Sequence, residues 1–167
     1  MALLPIRIYP DPVLRVDCAP VTSFDEDLRK LVDDMVETMH AAPGVGLAAP
    51  QVGIEKQVAI VDVTVGEDPD ALRILINPRI VEDSGSELDS EGCLSIPDLS
   101  EKVVRPTKIR VLGHDLDGDE VEMEAKDFEA RAFCHEIDHL HGVLFIDHLR
   151  GLRKEKARRQ LKKLGLA

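Results

Sequence analysis

Residues 135–139 read His-Glu-Ile-Asp-His, and this pentad restricts the fold more than any other stretch of the chain. In an α-helix of 3.6 residues per turn the two histidines stand one turn apart on one face, so both imidazoles reach a single metal ion. Glu136 lies about 100° further round the helix, off the ligand face but within reach of a metal-bound water. The preceding stretch, Asp127 to Cys134, carries Phe128, Ala132 and Phe133, which with Ile137 recur at helical apolar spacings. Gly142 supplies a stop beyond Leu140. The fold must therefore bury a helix bearing acids and imidazoles, and buried acids need partners. The plain alternative is an amphipathic helix whose histidines pack or face water.

Two histidines leave a catalytic metal one protein ligand short. The continuation His139-Leu-His-Gly142-Val-Leu-Phe145 follows the metzincin protease pattern to its glycine, then places Phe145 where that pattern needs a third histidine. A thermolysin-like site would take a downstream glutamate, but Arg159 stands in that region, and Glu155 sits among cations at the wrong spacing. His141 points to another face of the helix. Cys93, in Ser90-Glu-Gly-Cys-Leu-Ser-Ile-Pro97, is the best remaining donor, because a thiolate with two imidazoles is an established catalytic ligand set. The stretch around it reads as a strand or strand end. Taken alone, such a cysteine would more often pack as a small hydrophobe. A third motif, Gly44-Val-Gly-Leu-Ala-Ala-Pro-Gln51, strips away side-chain bulk so that backbone can approach a ligand, and ends on an amide donor. It is not a phosphate loop, since no Gly-Lys-Ser/Thr follows.

In this order the Gly44–Gln51 loop, the Glu91–Ser95 stretch and the 135–139 pentad resemble the three signature motifs of the peptide deformylase family. Tyr9-Pro-Asp-Pro-Val-Leu-Arg15 resembles that family's opening, and the likeness spans residues 6–150. The resemblance implies a hydrolase that releases formate from the N-formylmethionine of nascent polypeptides. It implies Cys93, His135 and His139 as ligands of one divalent ion, with water completing the set and Glu136 as general base. Gln51, through its side chain, and Leu94, through its backbone N–H, are implied donors to the developing oxyanion. It further implies Fe2+ in the cell, with Ni2+ or Co2+ able to substitute and Zn2+ giving a poorer catalyst. Backbone of Gly46 and Gly92 would pair with the peptide as an added strand. Val45, Phe128 and the aliphatic stem of Arg131 are candidates for the methionine pocket, with the Arg131 guanidinium expected to reach solvent. Glu91 with Arg105, and Asp138, are candidates for supporting the site. A metallopeptidase on the same helix and a non-catalytic peptide-binding module are the competing readings. Phe145 and Arg159 weigh against the first, Glu136 and Gln51 against the second.

Chain length, at 167 residues, suits one domain. We expect a catalytic domain over residues 1–150 and a basic helix over 151–167. No apolar run approaches a membrane span, and Met-Ala-Leu-Leu-Pro-Ile-Arg is too short and proline-broken for a signal peptide. Three cysteines without framework spacing fit a reducing compartment, so a cytoplasmic location is expected. A net charge of −11 argues against DNA binding by the whole chain. From Arg150 onward, however, eight Lys or Arg face one Glu. That tail, with Leu152, Leu161 and Leu164 at helical spacing, is expected either to pack on its own acidic body or to touch ribosomal RNA.

The coarse pattern is α+β: mixed, mainly antiparallel sheets around a central metal-binding helix, with N- and C-terminal helices. Residues 25–40 place Leu28, Leu31, Val32, Met35 and Met39 on one helical face. Val58 to Val63 and Ile74 to Ile76 read as strands, and Gly66 to Asp70 and Asp83 to Ser86 as polar loops. Lys108 to His114 and Glu120 to Ala125 alternate around Asp117-Gly118, a hairpin turn signal.

Overall fold

The computed structural model describes residues 2–166. In chain order its principal elements are α1 (Glu26–Ala41), β1 (Gly46–Ala48), β2 (Val58–Val61), β3 (Arg73–Ser84), β4 (Glu87–Cys93), β5 (Ile96–Arg105), β6 (Lys108–His114), β7 (Glu120–Lys126), α2 (Asp127–Leu140) and α3 (Gly151–Lys163). Five strands form one sheet in the order β1-β2-β3-β6-β7, and β4 with β5 forms a separate two-stranded ribbon. Every pairing between these strands is antiparallel, which agrees with the α+β expectation.

Asp25 caps α1, its side chain accepting from Leu28 N at 3.0 Å, and Glu26 and Asp27 place negative charge at the positive end of the helix. Leu28, Val32, Met35 and Met39 are buried along its inner face. The four residues of β2 are all buried because helices cover both faces of the sheet. Val58 and Ile60 pack with α1, whereas Ala59 and Val61 pack with Phe133, Ile137 and Leu140 of α2. A strand buried on both sides reads as a continuous apolar run, as Val-Ala-Ile-Val does.

A third apolar cluster joins the ribbon to α3, with Ile96, Leu99 and Val103 against Phe145, Leu149, Ala157 and Leu161. The expected apolar stripe of α3 needs one correction: Leu152 is 87 % exposed, and Ala157 is the buried partner of Leu161. Helix α2 is thus enclosed, with the sheet on one side and the ribbon on the other. Among the described residues no helix is long and apolar enough to cross a membrane.

Candidate active site

Helix α2 turns its sheet-opposed face toward the ribbon, and the three expected ligand atoms meet there. Cys93 Sγ lies 3.3 Å from His139 Nε2, and His139 Nε2 lies 3.3 Å from His135 Nε2. Donors about 2.0–2.3 Å from a tetrahedral ion stand about 3.3–3.7 Å apart, so these separations are the edges such an ion would impose. The residues therefore fit one divalent cation, and the second imidazole nitrogen of His135 is engaged in the way a metal ligand requires. His135 Nδ1 meets Glu91 Oε1 at 2.9 Å, leaving Nε2 to face the site. His139 is held well below the usual histidine range by burial, then by the neighbouring His135 and Arg105. For His135, burial opposes protonation, but contacts with Cys93 and Glu91 raise it well above the usual range. A cation taking both Nε2 atoms would displace that proton.

Glu91 is the hub beneath the candidate ligands. It is 6 % exposed, and it accepts Arg105 Nε at 2.7 Å and Nη2 at 3.0 Å, and Arg131 Nη1 at 2.9 Å. Burial alone would raise its carboxyl, but His135 and Arg105 pull it down to about 2. Arg105 also reaches Asp138 at 2.7 Å, and His148 reaches the same carboxylate at 2.9 Å. The expected support pair is therefore present, extended by Arg131 and His148. Arg131 departs from expectation at its tip: the guanidinium does not reach solvent but donates to Glu91 and to the carbonyls of Val103 and Glu87, both at 2.8 Å. Only the stem of Arg131 remains to line the cleft.

Glu136 is 4 % exposed, its Oε2 has no protein partner, and burial pushes its carboxyl up to about 7. Room for it comes from Gly46, where a Cβ would stand 2.8 Å from Glu136 Oε1. The glycine thus clears space for a carboxyl as well as offering open backbone. Gln51 is buried, and Ala48 N donates to its Oε1 at 3.0 Å, which turns the amide nitrogen toward Ser95 Oγ at 3.0 Å and Cys93 Sγ at 3.6 Å. Ser95 is fully buried. It stands two residues from Cys93, but a serine there carries no spacing signal of its own in the sequence. His148 had no local signal at all.

These groups form the floor of a cleft of about 640 Å3. Its walls include Val45, Gly46, Gly92, Leu94, Phe128 and Arg131, together with Gln51, Cys93, His135 and Glu136. His139 lies behind this lining, 1 % exposed. Phe128 stands at the mouth, 53 % exposed. β1 is an edge strand of its sheet, so one side of its backbone is open to the cleft.

The polypeptide deformylase family model matches residues 3–155. A peptide deformylase of Acidobacterium capsulatum is 49% identical over 98% of this chain and 96% of that protein. Peptide deformylase 1 of Clostridium acetobutylicum is 51% identical over 89% of this chain and 96% of its own length. Among solved structures, a peptide deformylase from Legionella pneumophila superposes with a TM-score of 0.90 at 39% identity, covering 98% of this chain and 96% of that one. One from Synechococcus elongatus gives 0.92 at 38% identity, covering 98% and 89%.

Proposed function

The chain belongs to the polypeptide deformylase family, metal-dependent hydrolases that remove the N-formyl group from nascent polypeptides, and from that premise we propose which of its residues do the work. The observation that carries the assignment is the meeting of Cys93, His135 and His139 within 4.8 Å of one another, beside a buried carboxyl whose Oε2 has no partner. We assign Cys93, His135 and His139 as the metal ligands. When bound, the cation supplies a water of lowered pKa and polarises the formyl oxygen.

Glu136 Oε2 takes a proton from the attacking water and passes it to the departing amine. Burial raises its carboxyl, the direction that suits a group which must both take up and give back a proton near neutral pH. The Gln51 amide and the Leu94 backbone N–H donate to the oxygen on which negative charge collects; a donor of this kind is typically worth about 3 kcal/mol of barrier. The peptide adds as a strand along the open backbone of Gly46 and Gly92. The methionine side chain lies against Val45, Phe128 and the stem of Arg131. Position in the cleft wall supports all five.

The cellular ion is Fe2+, with Ni2+, Co2+ or Zn2+ as substitutes, and the enzyme works in the cytoplasm. Cys93 is only half-buried, so the thiolate is open to oxidants entering the cleft. Residues 1–150 then form the catalytic body. Residues 151–167 form the basic C-terminal segment, of which Gly151–Lys163 are helical and Ala167 lies outside the described residues; its outward cations contact ribosomal RNA.

Formate release from a formyl-Met peptide, with metal content measured alongside, tests the assignment. Glu136→Ala should keep its metal and lose about 10²- to 10⁴-fold in turnover, and the iron-loaded wild type should lose activity in air. Near-wild-type turnover by a metal-loaded variant would remove Glu136 from its role. Air-stable activity with iron alone bound would count against the ferrous assignment.

A further inference from the structure

Behind the candidate ligands, one line of hydrogen bonds runs from a ring nitrogen of His135 to the protein surface. His135 Nδ1 meets Glu91 Oε1 at 2.9 Å, Glu91 takes the fork of Arg105, and Arg105 Nη1 donates to Asp138 Oδ2 at 2.7 Å. His148 Nε2 meets the same Asp138 oxygen at 2.9 Å. Side-chain exposure rises along the line, from 4 % at Glu91 and 6 % at Arg105 to 25 % at Asp138 and 37 % at His148. His148 is therefore its outer end, and nothing in the proposed reaction uses it.

The partners fix the direction of that last bond, since a carboxylate only accepts and a guanidinium only donates. Arg105 Nη1 lies 3.4 Å from His148 Nε2, so both nitrogens are donors converging on one carboxylate oxygen. Nε2 carries its proton there whether the ring is neutral or charged. Arg105 in turn sits between two carboxylates, and its place is a balance between them. With the His148 N–H gone, Asp138 is free to turn toward solvent. Arg105 then follows it or loses it, and either movement disturbs the fork on Glu91 that fixes the His135 ring. His148 also ends the 3-10 turn Phe145–His148, whose Phe145 ring stacks on His135 with centroids 6.1 Å apart. One short turn thus meets the same candidate ligand from two directions.

We propose that His148 is a positioning residue for the cation site: its Nε2–H pins Asp138, which keeps Arg105 forked on Glu91 and His135 turned toward the cation. The role rests on the assignment of His135 as a ligand. Removing the group that directly orients a ligating histidine typically costs about 10- to 100-fold in metal affinity. His148 acts through three intervening side chains, so a smaller loss of about 3- to 10-fold is expected. It should appear in metal retention and not in KM, because His148 lies outside the cleft lining.

The test measures Zn2+ affinity by competition with a chelator, starting from metal-loaded wild type, His148→Phe and His148→Gln. Phenylalanine keeps a flat ring without the donor, whereas glutamine sets an amide N–H close to the place of Nε2. His148→Phe should hold Zn2+ about 3- to 10-fold more weakly, with KM for a formyl-Met peptide unchanged, and His148→Gln should return close to wild type. In an Asp138→Ala background the phenylalanine change should cost nothing further, since its point of action is already gone. Wild-type affinity in His148→Phe, whatever its melting temperature, overturns the role of His148 and leaves the deformylase reading intact. So does a glutamine variant as weak as phenylalanine, or a full additional loss in the Asp138→Ala background. A wild type that retains no Zn2+ overturns the ligand assignment, and this role with it.

Discussion

Gln51 and Ser95 show how a donor is aimed within a buried site. Ala48 N occupies Gln51 Oε1 at 3.0 Å, so the amide has one orientation, and Ser95 Oγ accepts from Nε2 at 3.0 Å. One N–H is then held by the serine, and the other is left for the cleft and Cys93. Removing the hydroxyl should let the amide swing, at a cost in orientation but not in metal binding. Ser95→Ala is therefore expected to lower kcat about 10-fold, less than the 10²- to 10³-fold typical of losing an oxyanion donor outright, with little change in KM or metal content. A double-mutant cycle decides whether the serine acts through Gln51. In a Gln51→Ala background the serine change should cost almost nothing further, whereas full additivity would mean Ser95 acts independently of the amide.

Among the elements, the turn after β2 carries an acid whose partners predict its pH behaviour. Asp62 is 2 % exposed and accepts from Thr64 N at 2.9 Å, Thr64 Oγ1 at 2.7 Å, Gly66 N at 2.9 Å and His40 Nε2 at 3.0 Å. Burial would raise the carboxyl, but the bonds from Thr64, His40 and Gly66 outweigh it and hold the group below its ordinary 3.8. A depressed carboxyl stabilises fully above its unfolded value, and that stability fades as pH falls below 3.8 toward the folded value. Asp62→Asn should cost about 1.5–3 kcal/mol at neutral pH, the usual worth of hydrogen bonds to a charged group. It should also flatten the acid limb of a urea-midpoint series taken from neutral pH down to about pH 3; parallel wild-type and variant curves would rule it out. The same scale shows what spacing reveals. Helix α1 and the β6–β7 hairpin follow the apolar period to within a residue, because a solvated face opposes a core face. β3 extends from Arg73 to Ser84, well beyond Ile74 to Ile76, and takes in part of the stretch read as a loop. Its last three residues, Glu82 to Ser84, are polar and exposed, and pairing with β6 holds them, not their own propensity. The motifs of the candidate ligands were legible because each is local. The contacts of Ser95, His148 and the Arg131 tip were not, since they join segments distant in sequence.

At the scale of the whole molecule, charge and packing ask different things of α3. Eight Lys or Arg against one Glu from Arg150 onward give this region +7 and leave −18 for the rest of the chain. Its inner side is nevertheless part of the core: Ala157 and Leu161 are 4 % and 7 % exposed, in the cluster with Leu99, Val103 and Phe145. Arg153 and Lys156 lean on Glu101, whereas Lys154, Arg159 and Lys162 are exposed and have no ion pair among the described residues. Truncation after Arg150 would uncover that cluster and lower the melting temperature, so loss of ribosome binding in such a variant would not identify the cations as the cause. Neutralising Lys154, Arg159 and Lys162 to glutamine separates the two roles, since exposed substitutions of this kind usually change stability by less than about 0.5 kcal/mol. If the outward face touches ribosomal RNA, the triple variant should keep its melting temperature and co-sediment more weakly with ribosomes. Its dependence of log affinity on log salt should also be shallower by about two to three, one counterion contribution per lost phosphate contact. Equal co-sedimentation of wild type and triple variant across the salt series would leave α3 as a brace for the ribbon that carries Cys93.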